Sequence, residues 1–413
     1  MPSGDQQFRV YLYEHAIAIL HRRDDFTRLV FDAGYVRDPG RAVLGLRFEE
    51  NLHGRYAAHL RLPPWFSNLL PEGRLRDWIG QSAGVPVERE MGLLAHVGHD
   101  LPGAVRVLPV DQPLPLEAGE LRDLVHGKKK DDRDALWRFS LAGVGLKFSM
   151  LARGERFSAP ALGEGGDWIV KLPEPHHAEV PRNELAMMTL ARATGIDVPD
   201  VKLVHRDMID SLPDTVWPPH EEHAYAVRRF DRGERRELIH IEDFAQVRGF
   251  YPDEKYKGTF ETVASLIYRR RDVEGLREFA RRLAFNVMIG NGDAHLKNWS
   301  LIYRDRRTPT LAPAYDLVAT AIYRPAPLGP EDLGLRFGGS RRFDSVRLSH
   351  FAALDERLEA KAGLADVAAD LVQRTLAQWP AVEELLPETD GMRATVATLL
   401  TDRAAMLLRS RAP

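Results

Sequence analysis

The chain has 413 residues, 44% of them hydrophobic and 28% charged, with a formal net charge of -3 and no cysteine. That length exceeds one ordinary core and predicts two or three compact globular units, and the missing cysteine excludes disulfides, thiolate zinc sites and cysteine nucleophiles. The near-neutral charge argues against an autonomous DNA binder, which must neutralise many phosphates.

In chain order, the start "MPSGDQQFRVYLYEHAIAIL" has no basic region leading into an apolar one, and no later apolar run approaches the roughly 18 to 20 residues that cross a bilayer. A cytoplasmic protein with no membrane contact is expected. Residues 8 to 60 read as short strands, "FRVYLYEHAIAIL", "TRLVFDA" and "AVLGLRF", and helices are predicted around "NLLPEGRLRDWIGQSAG" and "EREMGLLAHVG". The Pro- and acid-rich "PVDQPLPLEAGE" and the charge run "HGKKKDDRD" place a boundary within 107 to 134, with the three lysines read as a solvated loop. Strand-like segments resume after 137: "SLAGVGLKFSM" (140 to 150) surrounds a pair of glycines, and "DWIVKLP" (167 to 173) sets Lys171 among apolar neighbours. "NELAMMTLARATGIDVP" predicts a capped helix with Leu185, Met188 and Ala191 on one face, Gly195 as terminator and Glu184 near its start. After 260 the pattern is mostly helical, and no internal repeat is visible.

The stretch "NGDAHLKNWS" (291 to 300) holds the densest chemistry. Phe279, Leu283 and Val287 fall at i, i+4 and i+8, a buried helix stripe that Gly290 and Gly292 stop, so Asp293 is expected just past a helix end. "WSLIY", "RDRRTP" and "TLAPAYD" read as a hairpin returning Asp316 to that loop. The spacing Asp293 to Asn298 is D-x-x-x-x-N, as in a kinase catalytic loop, where the Asp takes the acceptor proton and the Asn holds magnesium. Such spacings also arise by chance in polar turns, and a zinc reading of Asp293 with His295 lacks further ligands at suitable spacing. Lys171 and Glu184 upstream favour the kinase reading, as the phosphate-pairing lysine and its acidic partner.

"SLAGVGLKFSM", "WIVKLP", "RNELAMMTLARATGIDVP", "YAVRRFDR", "HIEDFAQVRGFYPDEKY", "GNGDAHLKNWSLI" and "LAPAYDLVAT" resemble the successive blocks of the HipA family of serine/threonine protein kinases, the toxins of HipBA toxin–antitoxin modules. "FSNLLPEGRLRDWI" is similar to that family's N-terminal subdomain, and the likeness runs from about residue 10 to about 350. The resemblance implies an α/β (α+β) bilobal, protein-kinase-like fold. Its parts would be an N-terminal subdomain over 1–110, a linker over 111–136, a kinase N-lobe over 137–235 and a helical C-lobe over 236–413. It implies ATP and Mg²⁺ as cofactors, Asp293 as catalytic base, and Asn298 and Asp316 as metal ligands. Nucleotide contacts would come from Ala142, Gly143, Val144, Gly145, Lys147, Lys171, Val227, Arg228, Phe230 and His295, with Asp231 near the ribose and Glu184 paired with Lys171. Ser140 aligns with the serine whose autophosphorylation shuts the kinase off. Two letters depart from the family: Gly145 stands where a glutamine is commoner, and Ile241 where some members carry a polar residue. The implied partners are a protein substrate, among which aminoacyl-tRNA synthetases are frequent in the family, and a small dimeric helix-turn-helix antitoxin that would supply the DNA contact. Two other readings stay open at this point: a small-molecule kinase of the aminoglycoside or choline type, and an inactive kinase fold serving as corepressor.

Overall fold

In the computed structural model, which describes residues 6–110, 146–160, 165–210, 212, 216–388 and 391–409, the period-two pattern of the N-terminal segments becomes an antiparallel sheet. Strand β1 (Gln6–Leu12) buries Phe8, Val10 and Leu12 on one face, as alternation requires. It lies between β2 (His15–Arg23) and β5 (Val105–Pro109), and β3 (Phe26–Phe31) and β4 (Tyr56–His59) complete the order β4-β3-β2-β1-β5. The helices Gly73–Ala83 and Glu90–Val97 add Leu75, Ile79, Leu93, Leu94 and Val97 to the same core. Each such side chain contributes about 1.5 to 3 kcal/mol on burial.

"AVLGLRF" is not the expected strand. Gly45 is extended, and Leu46 begins a single helical turn, Leu46–Glu49. The Leu46 N–H donates to the Glu242 carboxylate at 2.9 Å, and a Cβ on Gly45 would meet Trp65 Nε1 at 2.6 Å, so tertiary contact overrides β propensity there.

A second sheet of the same unit has the order β7-β6-β8-β10-β9, from β6 (Lys147–Arg153), β7 (Arg156–Ser158), β8 (Trp168–Lys171), β9 (Val201–His205) and β10 (His223–Arg228). Phe148, Met150 and Val170 from this sheet join the core that the first sheet builds. The strand β11 (His240–Asp243) follows, and the unit comprises Met1–Leu172, Val204–Pro252 and Ile302–Pro309.

The second unit comprises Pro173–Leu203, Asp253–Leu301 and Thr310–Pro413. Its central helix, Val273–Met288, starts where the Asp272 side chain accepts from Gly275 N at 2.8 Å and buries Leu276, Phe279, Leu283 and Val287, the stripe read from the sequence. Arg282 on the same helix is buried, its charge met by Glu278 at 2.8 Å and the Ala312 carbonyl at 2.6 Å. Helices Phe260–Tyr268, Leu348–Leu358, Leu364–Gln378 and Met392–Leu408 bear out the helical reading of the C-terminal part.

The helix read from "NELAMMTLARATGIDVP" starts earlier, at Val180, with Pro181 in its first turn. Asn183 is fully buried inside it and exchanges hydrogen bonds with Ala319: Nδ2 to the carbonyl at 3.3 Å, and Oδ1 from the N–H at 3.0 Å. Strands β12 (Ser300–Tyr303) and β13 (Thr310–Leu311) are neighbours, and a hairpin of β14 (Asp332–Phe337) and β15 (Ser340–Arg342), which sequence periodicity did not separate from the helical region, also lies in this part. Among the described residues no helix is long and apolar enough to cross a membrane.

Candidate active site

After the central helix, Gly290 takes φ +64°, a left-handed conformation that a glycine adopts at little cost, and turns the chain into the loop holding Asp293. Asn291 is the keystone of the loop. Its Oδ1 accepts from Asp293 N at 3.1 Å, while its Nδ2 donates to Asn286 Oδ1 at 2.8 Å and to the Asp316 carbonyl at 3.1 Å. One buried carboxamide thus ties the helix, the loop and the segment carrying Asp316 together. The Gly292 N–H is held by Thr320 Oγ1 at 2.8 Å, and a Cβ there would lie 2.4 Å from the Glu331 side chain, so only glycine lets Glu331 approach the loop this closely. Burial holds the Glu331 carboxyl above the usual carboxylate range, against the hydrogen bond from Thr320.

Within this frame Asp293 keeps 52% of its side chain exposed. Its carbonyl accepts from Asn298 Nδ2 at 2.8 Å. Because only the amide nitrogen can donate to a carbonyl, Oδ1 is the atom of Asn298 that faces elsewhere, which suits it to a hard cation. Asp316 has φ +57°, an uncommon setting for a residue other than glycine, although Asp tolerates it better than most. Amide and carboxylate oxygens are the hard donors that a magnesium ion takes, so the residue types at 298 and 316 suit it. Among the described residues no three His, Asp or Glu side chains gather as a metal site, so the zinc reading gains no further ligand. His295 is 4% exposed, with its Nε2 3.7 Å from Asp293 Oδ1.

The other predicted residues fall in several places. Lys171 ends β8 and is paired in register with Lys147 of β6, on one side, and with Tyr225 of β10, on the other. Lys171 Nζ lies 5.4 Å from the Tyr225 ring centroid. Val227 is buried, Arg228 exposed and Phe230 half-buried. Glu184 lies in the first turns of the helix Val180–Ala193, 3% exposed. Ser140, Ala142, Gly143, Val144 and Gly145 lie outside the described residues, as do the 111–136 linker and its lysine run.

Asp231 has a different employment from the ribose contact expected of it. Both its carboxylate oxygens are engaged: Oδ1 by Arg229 Nε at 2.9 Å, and Oδ2 by Arg229 at 2.8 Å, Gly103 N at 2.7 Å and Arg232 at 3.0 Å. Burial alone would raise its pKa, but the two guanidiniums outweigh it and hold the carboxyl below the usual range. A carboxylate so occupied has little left for a sugar hydroxyl. Asn291, Thr320 and Glu331 escaped the sequence reading, because their link to Asp293 runs through side-chain hydrogen bonds and close packing that no spacing rule encodes.

The HipA-like C-terminal domain family matches residues 139–379 and the HipA N-terminal domain family residues 8–108. The chain is 40% identical over 403 residues to "Putative kinase Y4dM" of Sinorhizobium fredii, covering 94% of this chain and 95% of that protein. It is 30% identical over 288 residues to the serine/threonine-protein kinase toxin HipA of Shewanella oneidensis, covering 62% of each. Among solved structures, a Shewanella oneidensis toxin–antitoxin complex of HipA, HipB and operator DNA matches with a TM-score of 0.73 and 23% identity over 97% of both chains, a likeness of fold.

Proposed function

The chain belongs to the HipA family, and from that premise we propose that it is an ATP- and Mg²⁺-dependent protein kinase that phosphorylates Ser or Thr hydroxyls of a cytoplasmic protein. The observation that carries this reading is the loop array: Asp293, Asn298 and Asp316 are drawn into one small hydrogen-bonded frame by Asn291 and the Asp293 carbonyl. Magnesium, when bound, would supply positive charge to offset that of the phosphates. Asn298 Oδ1 and the Asp316 carboxylate would hold it. Asp293 would orient the acceptor hydroxyl and take its proton, the task its half-exposed carboxylate suits. Lys171 and Lys147, paired in register on neighbouring strands, would meet the nucleotide phosphates. Val227, Arg228 and Phe230 would border the base. Asp231 is left out of the nucleotide contacts on account of its internal ion pairs. Glu184 is proposed as partner of Lys171, His295 as an ordering residue of the loop near the nucleotide, and Ser140 as the autophosphorylated switch.

Two relatives give the reading its biological direction. One carries the name of a serine/threonine kinase toxin, and the fold relative was solved with HipB and operator DNA. A HipB-like antitoxin is therefore the proposed partner here, and aminoacyl-tRNA synthetases are the first substrate class to try. The test is phosphosite mapping by mass spectrometry after incubation with ATP and Mg²⁺, alone and in a cell lysate, beside Asp293→Asn. The wild type should gain phosphate at Ser or Thr, and the variant should lose roughly 10² to 10⁴ in rate with its fold intact. Equal labelling by both proteins, or phosphate passed only to small alcohols, would overturn the reading.

A further inference from the structure

Lys255 and Tyr256 are remote in sequence from the catalytic loop, yet the fold clips them to it. Leu296 N donates to the Lys255 carbonyl at 3.1 Å, fixing the backbone of the pair against the loop. The Tyr256 ring stands edge-on to His295, with centroids 5.0 Å apart and planes at 78°. Its hydroxyl donates to Asp293 Oδ1, and Arg341 donates to the Tyr256 carbonyl from the β14–β15 hairpin side. Tyr256 is nevertheless 39% exposed, so burial of its ring does not account for its placement.

A carboxylate has two equivalent oxygens and turns about its terminal torsion with little resistance, a poor property in a group that must meet a hydroxyl at one angle. A donor fixed on Oδ1 removes that freedom and leaves Oδ2 aimed away from the tyrosine, where an acceptor hydroxyl can reach it. We propose that Tyr256 is a positioning residue for phosphoryl transfer, holding Asp293 by one oxygen so that the other receives the acceptor proton; the inference rests on the kinase reading. No atom of Tyr256 takes part in the bond changes. The opposite role would be a gate, in which the phenol occupies the acceptor's place and must leave before transfer.

The experiment uses the full chain with ATP, Mg²⁺ and a degenerate mixture of Ser- and Thr-containing peptides as probe acceptor. It compares wild type, Tyr256→Phe, Asp293→Asn, and a protein carrying para-aminophenylalanine at 256, which keeps a donor at the ring's end. Tyr256→Phe should lower kcat on the order of tenfold to a hundredfold, the equivalent of one hydrogen bond to a charged group. Its KM for ATP and its Tm should stay close to wild type, and the para-amino variant should recover most of the lost rate, a rescue that a merely structural tyrosine would not show. A kcat in Tyr256→Phe equal to wild type sinks the proposal, and a raised kcat identifies the gate instead. A wild type that transfers no phosphate overturns the kinase reading and this proposal with it, whereas an active wild type with an indifferent Tyr256→Phe overturns this proposal alone.

Discussion

Arg229 has no side-chain surface exposed, and its nitrogens donate to Asp231, Asp100, Ser149 and the Leu101 carbonyl at 2.8 to 3.1 Å. With Arg232 and the two aspartates it forms a charge-balanced cluster joining the residues around Asp100 to those after β10. Burial works against ionising Asp100, but Arg229 and Arg232 prevail and hold its pKa well below the carboxylate range. Taking these ions out of water offsets much of their attraction, so the cluster is not a large net stabiliser over an apolar packing of the same shape. Breaking it is another matter. Arg229→Met should leave two buried carboxylates short of partners and lower the unfolding free energy by about 3 to 5 kcal/mol. Asp231→Asn should likewise act on stability, and the nucleotide affinity of the still-folded fraction should match wild type. Urea unfolding beside ATP-analogue titration separates the two effects. A stable Asp231→Asn protein with selectively weakened nucleotide binding would restore the ribose role.

At the scale of elements, β11 puts two buried titratable groups on one strand, two residues apart. His240 donates Nε2–H to the Leu44 carbonyl at 2.7 Å, its tautomer set by the Ala104 N–H on Nδ1, and burial pushes its pKa down to about 4. Glu242 accepts from Leu46 N, Trp65 Nε1 and the Tyr303 hydroxyl, but burial prevails over these bonds and pushes its pKa up to about 7. The signs oppose. Glu242, raised from 4.5, contributes stability that is complete below about pH 4.5 and is lost as pH rises to about 7. His240, lowered from 6.5, contributes stability that is complete above about pH 6.5 and is lost as pH falls toward 4. The wild type should therefore vary little between about pH 4.5 and 6.5. Glu242→Gln removes one of the two slopes, and its stability relative to wild type should rise by roughly 3 kcal/mol between pH 4.5 and 7. Parallel urea midpoints for the two proteins across that range would show that Glu242 ionises normally in the fold.

The same strand shows where legibility in the sequence ends. Strand pattern was legible over β1 to β3, although "FRVYLYEHAIAIL" ran β1 and β2 together across the turn between them, and the i, i+4 stripe predicted the helix before the loop of Asp293, because these patterns record which face a single element buries. "AVLGLRF" misled for the converse reason: its conformation answers to Trp65 and Glu242, not to its own pattern. Asp293 and Asn298 stood out by their spacing and Asp316 by the hairpin that returns it toward them, and the fold ties all three backbones into one hydrogen-bonded frame. Tyr256 and Asn291, which hydrogen-bond to Asp293, carry no spacing signature. Their partners are set by folding of distant segments.

For the whole molecule, 57 basic and 60 acidic residues leave a formal charge of -3, so net charge does not draw the chain to a polyanion. Non-specific duplex binding comes almost entirely from released counterions and reaches Kd values of about 10⁻⁴ to 10⁻⁶ M in proteins built for it. This chain should fall at or beyond the weak end of that range. If a HipB-like dimer supplies the DNA contact, the ternary assembly should show the steep loss of affinity with salt that the partner's phosphate contacts dictate, and adding this chain should leave that slope nearly unchanged. The measurement is a gel-shift titration on random duplex and on the operator of such an antitoxin, each at two salt concentrations, with the isolated chain, the antitoxin alone and the two together. The isolated chain should retard neither DNA at low micromolar concentration, and the mixture should retard the operator alone. Tight, salt-sensitive binding of random duplex by the isolated chain would require a local basic surface that the overall charge conceals, and would move the DNA contact from the partner to this protein.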